Sequence, residues 1–340
     1  MIEFARHSST AHAAYHDLLR SLRDEAISEL RGTPTRVERN GRLYWYDSYR
    51  VGSEVKKAYI GEDSDELRQR LGRAAELSAL RVERRAQRTR LIRMLRAEGF
   101  LGVDAGTGSL LAAMANAGVF RLGGTLVGTV AFRFYEGELG VRYGVDDAAQ
   151  TNDIDIASFE RLSLALGDSV DQSLQQLLAD FSFDPAPTLD DRKVWRWKQT
   201  RSDTLVEFLT PAFAEREEPR PLAALGVHAQ SLHYLNYLIA DPIKAAVTYR
   251  SGVLVQIPRP ERFAIHKLIV SDRRQGGPDS LKAVKDRRQA QFLIDVLAQD
   301  RPDELREAYQ DALSRGPRWR ERLAAAVARV LGLKEKIEGI

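Results

Sequence analysis

From Ser8 or Ser9 to Arg31, apolar and polar positions repeat at helical spacing, and Gly32 and Pro34 stop the pattern. The period then falls to two. Arg36–Arg39 and Arg42–Tyr46 flank Asn40-Gly41, a two-residue hairpin signal, and Glu54–Ile60 completes a small sheet. Helical spacing returns from Asp63 to Ala97, where Leu67, Leu71, Leu77, Leu80, Ile92 and Leu95 form one apolar stripe. A short helix over Ser109–Ala117 ends at Gly118. Val119–Leu122 reads as a strand, Gly123-Gly124 as a turn, and Thr125 to about Tyr135 as a helix capped by the Thr125 hydroxyl. A strand around Asp153–Ala157 leads into helical segments from Ser158 to about Phe181 and a loop marked by Pro185 and Pro187. Val194–Lys198 with Thr204–Leu209, and Ala245–Arg250 with Val253–Ile257, read as hairpins, the second turning at Ser251-Gly252. His228 and His233 fall in a Tyr-rich stretch that reads as an amphipathic helix. Beyond Pro258 the pattern is helical over about 260–273, 280–299, 302–314 and 318–332, punctuated by Gly276-Gly277-Pro278 and Gly316-Pro317. The expected fold class is α+β: a mixed sheet flanked by helices, with an N-terminal helix and β-hairpin region and a C-terminal helical bundle. Three regions follow, 1–100, 101–258 and 259–340. No internal repeat is visible.

Candidate chemistry gathers in the middle region. In Thr151-Asn152-Asp153-Ile154-Asp155-Ile156-Ala157 two carboxylates are separated by one apolar residue, so on a strand Asp153 and Asp155 share a face while Ile154 and Ile156 take the other. Such a pair suits one or two Mg²⁺ ions. The turn Gly123-Gly124-Thr125, closing a strand and opening a helix, leaves backbone N–H groups free to accept a triphosphate. A divalent metal beside an anion cradle points to phosphoryl or nucleotidyl transfer.

These residues resemble the DNA polymerase beta-type nucleotidyltransferase superfamily, in particular its minimal bacterial, AbiEii-like branches. The resemblance implies a nucleotidyltransferase-type sheet, two Mg²⁺ ions, an NTP substrate seated on Gly123, Gly124 and Thr125, and metal ligands Asp153 and Asp155 with a third acid on a neighbouring strand. Glu207, a lone acid in Thr204-Leu205-Val206-Glu207-Phe208-Leu209-Thr210-Pro211, fills that place where an Asp is usual. A second block, Pro260–Leu268 with Arg273-Arg274 and Lys285-Asp286-Arg287-Arg288, resembles the AbiEii-like pattern of a helical lysine, an arginine and an Asp-bearing helix. It implies that Lys267, with Arg274, contacts the nucleotide phosphates and that Asp286 supports the site or the acceptor. The likeness runs from about residue 105 to 300. AbiEii-type relatives include toxins that modify tRNA, so the resemblance also implies an RNA acceptor and room for a protein antitoxin.

Composition narrows the classes. The 340 residues are 44% hydrophobic and 29% charged, ordinary for a globular protein. No apolar run approaches the ~18 to 20 residues of a membrane helix, and no signal-peptide core opens the chain, so a cytoplasmic protein is expected. Without cysteine there is no disulfide, thiolate nucleophile or cysteine-ligated zinc, which leaves oxygen-liganded metals. The net charge of +3 is unevenly spread, with ten arginines between Arg68 and Arg96. They form either a solvated helix laced with ion pairs or a phosphate-tracking face for RNA. Tyr44, Trp45, Tyr46, Tyr49 and Tyr59 among basic residues of the hairpin region either stack bases or bury one sheet face. Of the histidines, His12 and His16 share a helix face, and His266 adjoins Lys267. A catalytically degenerate transferase fold that binds RNA or protein is the alternative to an enzyme.

Overall fold

The computed structural model describes residues 4–30, 32–39, 41–51, 54–143, 153–188, 190, 192–274, 280–330 and 332–338. Asn40, Thr151, Asn152 and Gly276-Gly277-Pro278 lie outside the described residues. The first elements are α1 (Ser9–Ser28), β1 (Thr33–Arg39), β2 (Arg42–Val51), β3 (Glu54–Glu62), α2 (Asp65–Gly72), α3 (Ala74–Ala79) and α4 (Arg81–Ala97). The central ones are α5 (Ala105–Asn116), β4 (Thr125–Val127), α6 (Gly128–Leu139), β5 (Ile154–Ala157), α7 (Glu160–Ala165), α8 (Leu174–Asp180), β6 (Phe183–Pro185), β7 (Arg196–Gln199), β8 (Leu205–Pro211), β9 (Pro219–Leu222), β10 (Val227–Leu232), α9 (Leu235–Leu238), β11 (Ile243–Val247) and β12 (Val253–Ile257). The chain then runs through α10 (Pro260–Arg273), α11 (Ser280–Asp300), α12 (Pro302–Ser314), α13 (Pro317–Ala328) and α14 (Leu333–Glu338). The class is α+β with a mixed sheet, as the pattern predicts.

The Ser8 hydroxyl accepts from Ala11 N and starts α1, whose Ala11, Ala14, Tyr15, Leu18 and Leu22 are buried against Ile92 and Leu95 of α4, with Phe100 and Ala246. The stripe expected as one helix over Asp63–Ala97 is three. Gly72 closes α2, and a second break falls at Leu80. The bends turn several arginines inward. Arg70 and Arg84 both hold Asp24 of α1, at 3.1 and 2.7 Å, and the buried Arg88 holds Glu25 and donates to Ser251 O. Much of the basic run therefore clamps α1 rather than facing solvent.

Strands β1, β2 and β3 make the expected antiparallel sheet. Its Tyr46 is buried and donates to Leu166 O, so part of the aromatic set packs against the end of α7. The central sheet runs β4-β5-β8-β10-β9, with β7 added on β8 and β6 on β7. Strand β8 is parallel to β5 and to β10, and the other pairings are antiparallel. Three expectations are corrected here. Val119–Leu122 is a buried turn, not a strand, because Gly118 and Gly123 take left-handed φ values of +91° and +90° on either side of it. Thr125 opens the strand β4, not a helix, and α6 starts at Gly128. His228 lies on strand β10, with His233 just after it, where inward Val227, Ala229 and Ser231 alternate with half-buried neighbours.

The hairpin β11–β12 packs between α1, α5, α6 and β4, and the C-terminal helices gather around α10, whose Phe263, Ala264, Ile265, Leu268 and Ile269 are buried. Among the described residues no helix is long and apolar enough to cross a membrane.

Candidate functional site

One row of register partners crosses four strands: Val127 on β4, Asp155 on β5, Glu207 on β8 and Arg196 on β7. Directly paired residues project from the same sheet face, so the Asp155 and Glu207 carboxylates stand side by side on strands about 4.8 Å apart. Asp153 precedes β5 on the same face, and its Oδ1 accepts from Leu205 N at 3.2 Å, which ties it to the start of β8. Ile154 and Ile156 are wholly buried on the opposite face.

Burial and crowding of like charge both disfavour the ionised form of these groups. Burial, then the charges of Glu207 and Asp153, push the Asp155 carboxyl up to about 7, against the pull of Lys267 and Arg274. Burial also raises Glu207; Arg196 opposes that shift, Asp153 adds to it, and Lys282 opposes it. A carboxylate cluster held partly out of water attracts a cation.

Behind the acids lies a wall of cations built by α10 and α11. Lys267 Nζ donates to Asp286 Oδ1 at 2.5 Å, and Arg274 Nη1 donates to Asp286 Oδ2 at 2.5 Å. Asp286 is buried, and it fixes both cations rather than contacting solvent. Next to Asp286, Lys285 has its pKa lowered by burial and by Lys267, while Asp286 and Asp153 act in the opposite sense. Lys282 and Lys285 thus bring the start of α11 within electrostatic reach of Glu207 and Asp153.

The glycine beside the acids is Gly128. It opens α6 at φ +68°, and a Cβ built on it would lie 2.3 Å from Asp155 Oδ2. Only glycine lets the backbone pass the carboxylate so closely. No side chain caps α6, so its first-turn N–H groups have no partner of that kind and carry the positive end of the helix dipole.

Gly123, Gly124 and Thr125 are not part of this arrangement. Thr125 pairs with Ala157, at the far end of β4 from Asp155. Its hydroxyl accepts from Gln256 Nε2 at 2.9 Å and reaches back to Gly123 O. A Cβ on Gly123 would meet Leu162 at 2.9 Å, and one on Gly124 the Val119 carbonyl oxygen at 2.7 Å. Those glycines serve a tight, buried turn. The glycine-opened helix start that lies beside the acids is the one at Gly128. Asp153, Asp155, Glu207, Lys267, Arg274 and Asp286 do come together around the sheet face. Gly128, Arg196 and Lys282 escaped the sequence reading, which names Lys285 beside Asp286 but gives it no role. For Gly128 the available signal was a lone glycine inside the apolar run Leu126–Phe132.

Among the described residues, no group of three His, Cys, Asp or Glu side chains is already arranged as a metal cage. Mg²⁺ seldom uses an all-protein cage; it keeps several waters and is completed by one or two carboxylates and substrate phosphates. Crowded, in-register carboxylates of raised pKa fit that mode of binding. A cavity of about 640 Å³ between α1 and α4 is lined by Arg20, Asp24, Arg84, Arg90 and Met94, and by none of the residues around Asp155.

In-register carboxylates, a glycine-opened helix start and a cation wall gather on one sheet face as the candidate site. The sequence matches a nucleotidyltransferase family over residues 105–314, and the chain belongs to that family. Residues 15–69 match a domain of unknown function. No curated protein matches the chain. The crystal structure of an antigenic nucleotidyltransferase-like protein from Paracoccidioides brasiliensis is similar over 66% of this chain and 95% of that one, at 14% identity and a TM-score of 0.31. A likeness that slight adds no weight.

Proposed function

We propose that the protein is a Mg²⁺-dependent nucleotidyltransferase that moves a nucleoside monophosphate from an NTP to an acceptor hydroxyl at an RNA end, such as that of a tRNA. The observation that carries this reading is the register pairing of Asp155 with Glu207 beside the Gly128 start of α6. Asp153, Asp155 and Glu207 would hold the metal, with Asp155 its centre. Bound there, Mg²⁺ supplies charge that favours the ionised acceptor hydroxyl and the departing phosphate.

The first-turn N–H groups of α6 bind the triphosphate, and Lys267, Arg274 and Lys285 neutralise it. Asp286 keeps the Lys267 ammonium and the Arg274 guanidinium aimed. In the transfer step the acceptor oxygen bonds to the α-phosphorus. The bond from that phosphorus to the bridging oxygen breaks, pyrophosphate leaves, and the hydroxyl proton passes to Glu207. Most of the acceleration comes from positioning and fixed charge.

An RNA acceptor is supported by Arg85, Arg90 and Arg93, which stay exposed on α4 after their neighbours have clamped α1. Affinity set by phosphate contacts falls steeply with salt. The AbiEii-like branch and a toxin-like role belong to the same proposal and rest on the Lys267, Arg274 and Asp286 pattern. Incubation with each α-labelled NTP and total RNA tests it: label entering RNA supports the reading, while label in the protein alone or in neither refutes it. Glu207, standing where an Asp is usual, favours a second reading, a degenerate transferase fold that only binds RNA or protein. That reading expects RNA binding with no label transferred.

A further inference from the structure

Resting on that transferase reading, we infer that Arg196 and Trp195 form the acceptor subsite, which takes a nucleotide unit of a nucleic-acid strand. Arg196 is the register partner of Glu207, on the side of β8 away from Asp155 and Gly128. The row therefore has two ends. The α6 start, Lys267 and Arg274 serve the β4–β5 end, and the Arg196 guanidinium stands at the β7 end, with Lys282 of α11 also acting on Glu207.

That guanidinium is oriented but not consumed. Its Nη2 donates to Pro187 O at 3.0 Å, and its Cζ sits 5.2 Å from the centre of the Trp195 ring. Its Nε is buried without a hydrogen-bond partner. Among the described residues Arg196 closes no ion pair, on Glu207 or on any other acid. A cation whose only task was to neutralise Glu207 would close on it, since an unmade charged hydrogen bond in a half-buried place is costly.

The guanidinium stands beside the third acid as the register partner of Glu207, whose carboxyl it acts on, and the attacking hydroxyl must lie there if Asp155 and the α6 start hold the NTP. An anion with a hydroxyl a few bonds away fits both positions. A terminal nucleotide has that layout: its phosphate on Arg196, its ribose hydroxyl at Glu207 and its base against the half-buried Trp195 ring. Guanidinium–phosphate and aromatic–base contacts are the two elements of sequence-tolerant binding to single strands. Protein hydroxyls and small aminocyclitols bring no phosphate for the guanidinium to hold.

The test uses the full chain, a short oligoribonucleotide with a free 3′ end, and the variants Arg196→Ala, Arg196→Lys and Trp195→Ala. Expected for Arg196→Ala is a rise of about tenfold or more in the KM for the oligonucleotide, while the Mg·NTP Kd from calorimetry stays within about twofold of wild type. Arg196→Lys should restore part of the loss, and Trp195→Ala should also raise the oligonucleotide KM. An unchanged KM, or a parallel loss of NTP affinity, overturns the subsite. So does wild-type label that enters protein or an aminocyclitol regardless of residue 196. If wild-type protein binds no Mg·NTP and transfers nothing, the transferase reading has failed, and fluorescence anisotropy of the labelled oligonucleotide then decides the subsite alone. Weaker binding by Arg196→Ala would keep the subsite, and equal binding would remove it. Thermal melting of each variant separates these effects from misfolding.

Discussion

Replacing Gly128 by Ala separates the cradle beside the acids from the glycine turn that sequence favours. The added Cβ would lie 2.3 Å from Asp155 Oδ2, against about 3.3 Å for a tolerable carbon–oxygen contact, so the carboxylate must move by roughly 1 Å. Misplacement on that scale costs on the order of 10²-fold in turnover. The residue also sits at φ +68°, where a side chain costs about 1–2 kcal/mol, or a few degrees of melting temperature. Gly123→Ala is the matched control. Its φ of +90° carries the same kind of strain, but its Cβ meets the flexible end of Leu162, at the far end of β4 from the acids. Both variants should lose similar stability in a thermal melt. With an α-labelled NTP, Gly128→Ala should lose about two orders of magnitude in transfer and Gly123→Ala less than about threefold. Equal loss in both, or full turnover in Gly128→Ala, would refute the placement of the cradle.

Three further outcomes follow from the same geometry. Asp155→Asn and Glu207→Gln should each abolish transfer, yet melt no lower than wild type without metal, because each removes one member of a crowded carboxylate cluster; a clearly lower melting temperature would show that the acids stabilise the fold. Buried Glu136, 3.0 Å from His7 Nε2, is pushed up to about 7, chiefly by burial, from an ordinary 4.5, so its contribution to stability is intact below pH about 4.5 and is lost as pH rises to about 7. Glu136→Gln keeps the oxygen that accepts from Leu101 N; it should raise stability by up to roughly 3 kcal/mol at pH 8 and leave it unchanged at pH 4, as read by melting across pH. Joint replacement of exposed Arg85, Arg90 and Arg93 by Ala should lower RNA affinity and flatten its salt dependence without loss of stability, whereas Arg88→Ala should unfold the α1–α4 contact and lower the melting temperature; reversal of these two patterns would contradict the division of the arginines.

Local chemistry made much of the fold legible. Ser8 caps α1 through its hydroxyl, Gly41 turns the first hairpin at φ +74°, and the alternation of Asp153 to Ile156 puts acids on one face and isoleucines on the other. What escaped depends on partners distant in sequence. Gly128 follows Leu126 and Val127 and precedes a helical run, so it reads as helix interior; pairing of Val127 with Asp155 is what sets it against a carboxylate. The pair Gly123-Gly124 carries the louder local signal but answers to Val119 and Leu162. The break at Leu80 has no glycine or proline to mark it, and it follows from α4 turning back onto α1 through Arg84 and Arg88. At Val227–Leu232 a period-two pattern was present, and the tyrosines that follow it masked the strand.

The central claim is that Asp155, Glu207 and the start of α6 jointly bind a metal-bound nucleoside triphosphate. Calorimetric titration of the full chain with each NTP, with and without Mg²⁺, tests it most directly when repeated on an Asp155→Asn, Glu207→Gln double variant. The account predicts binding that requires Mg²⁺ in the wild type and is lost in the double variant. Metal-independent binding, or equal affinity in the two proteins, would contradict it.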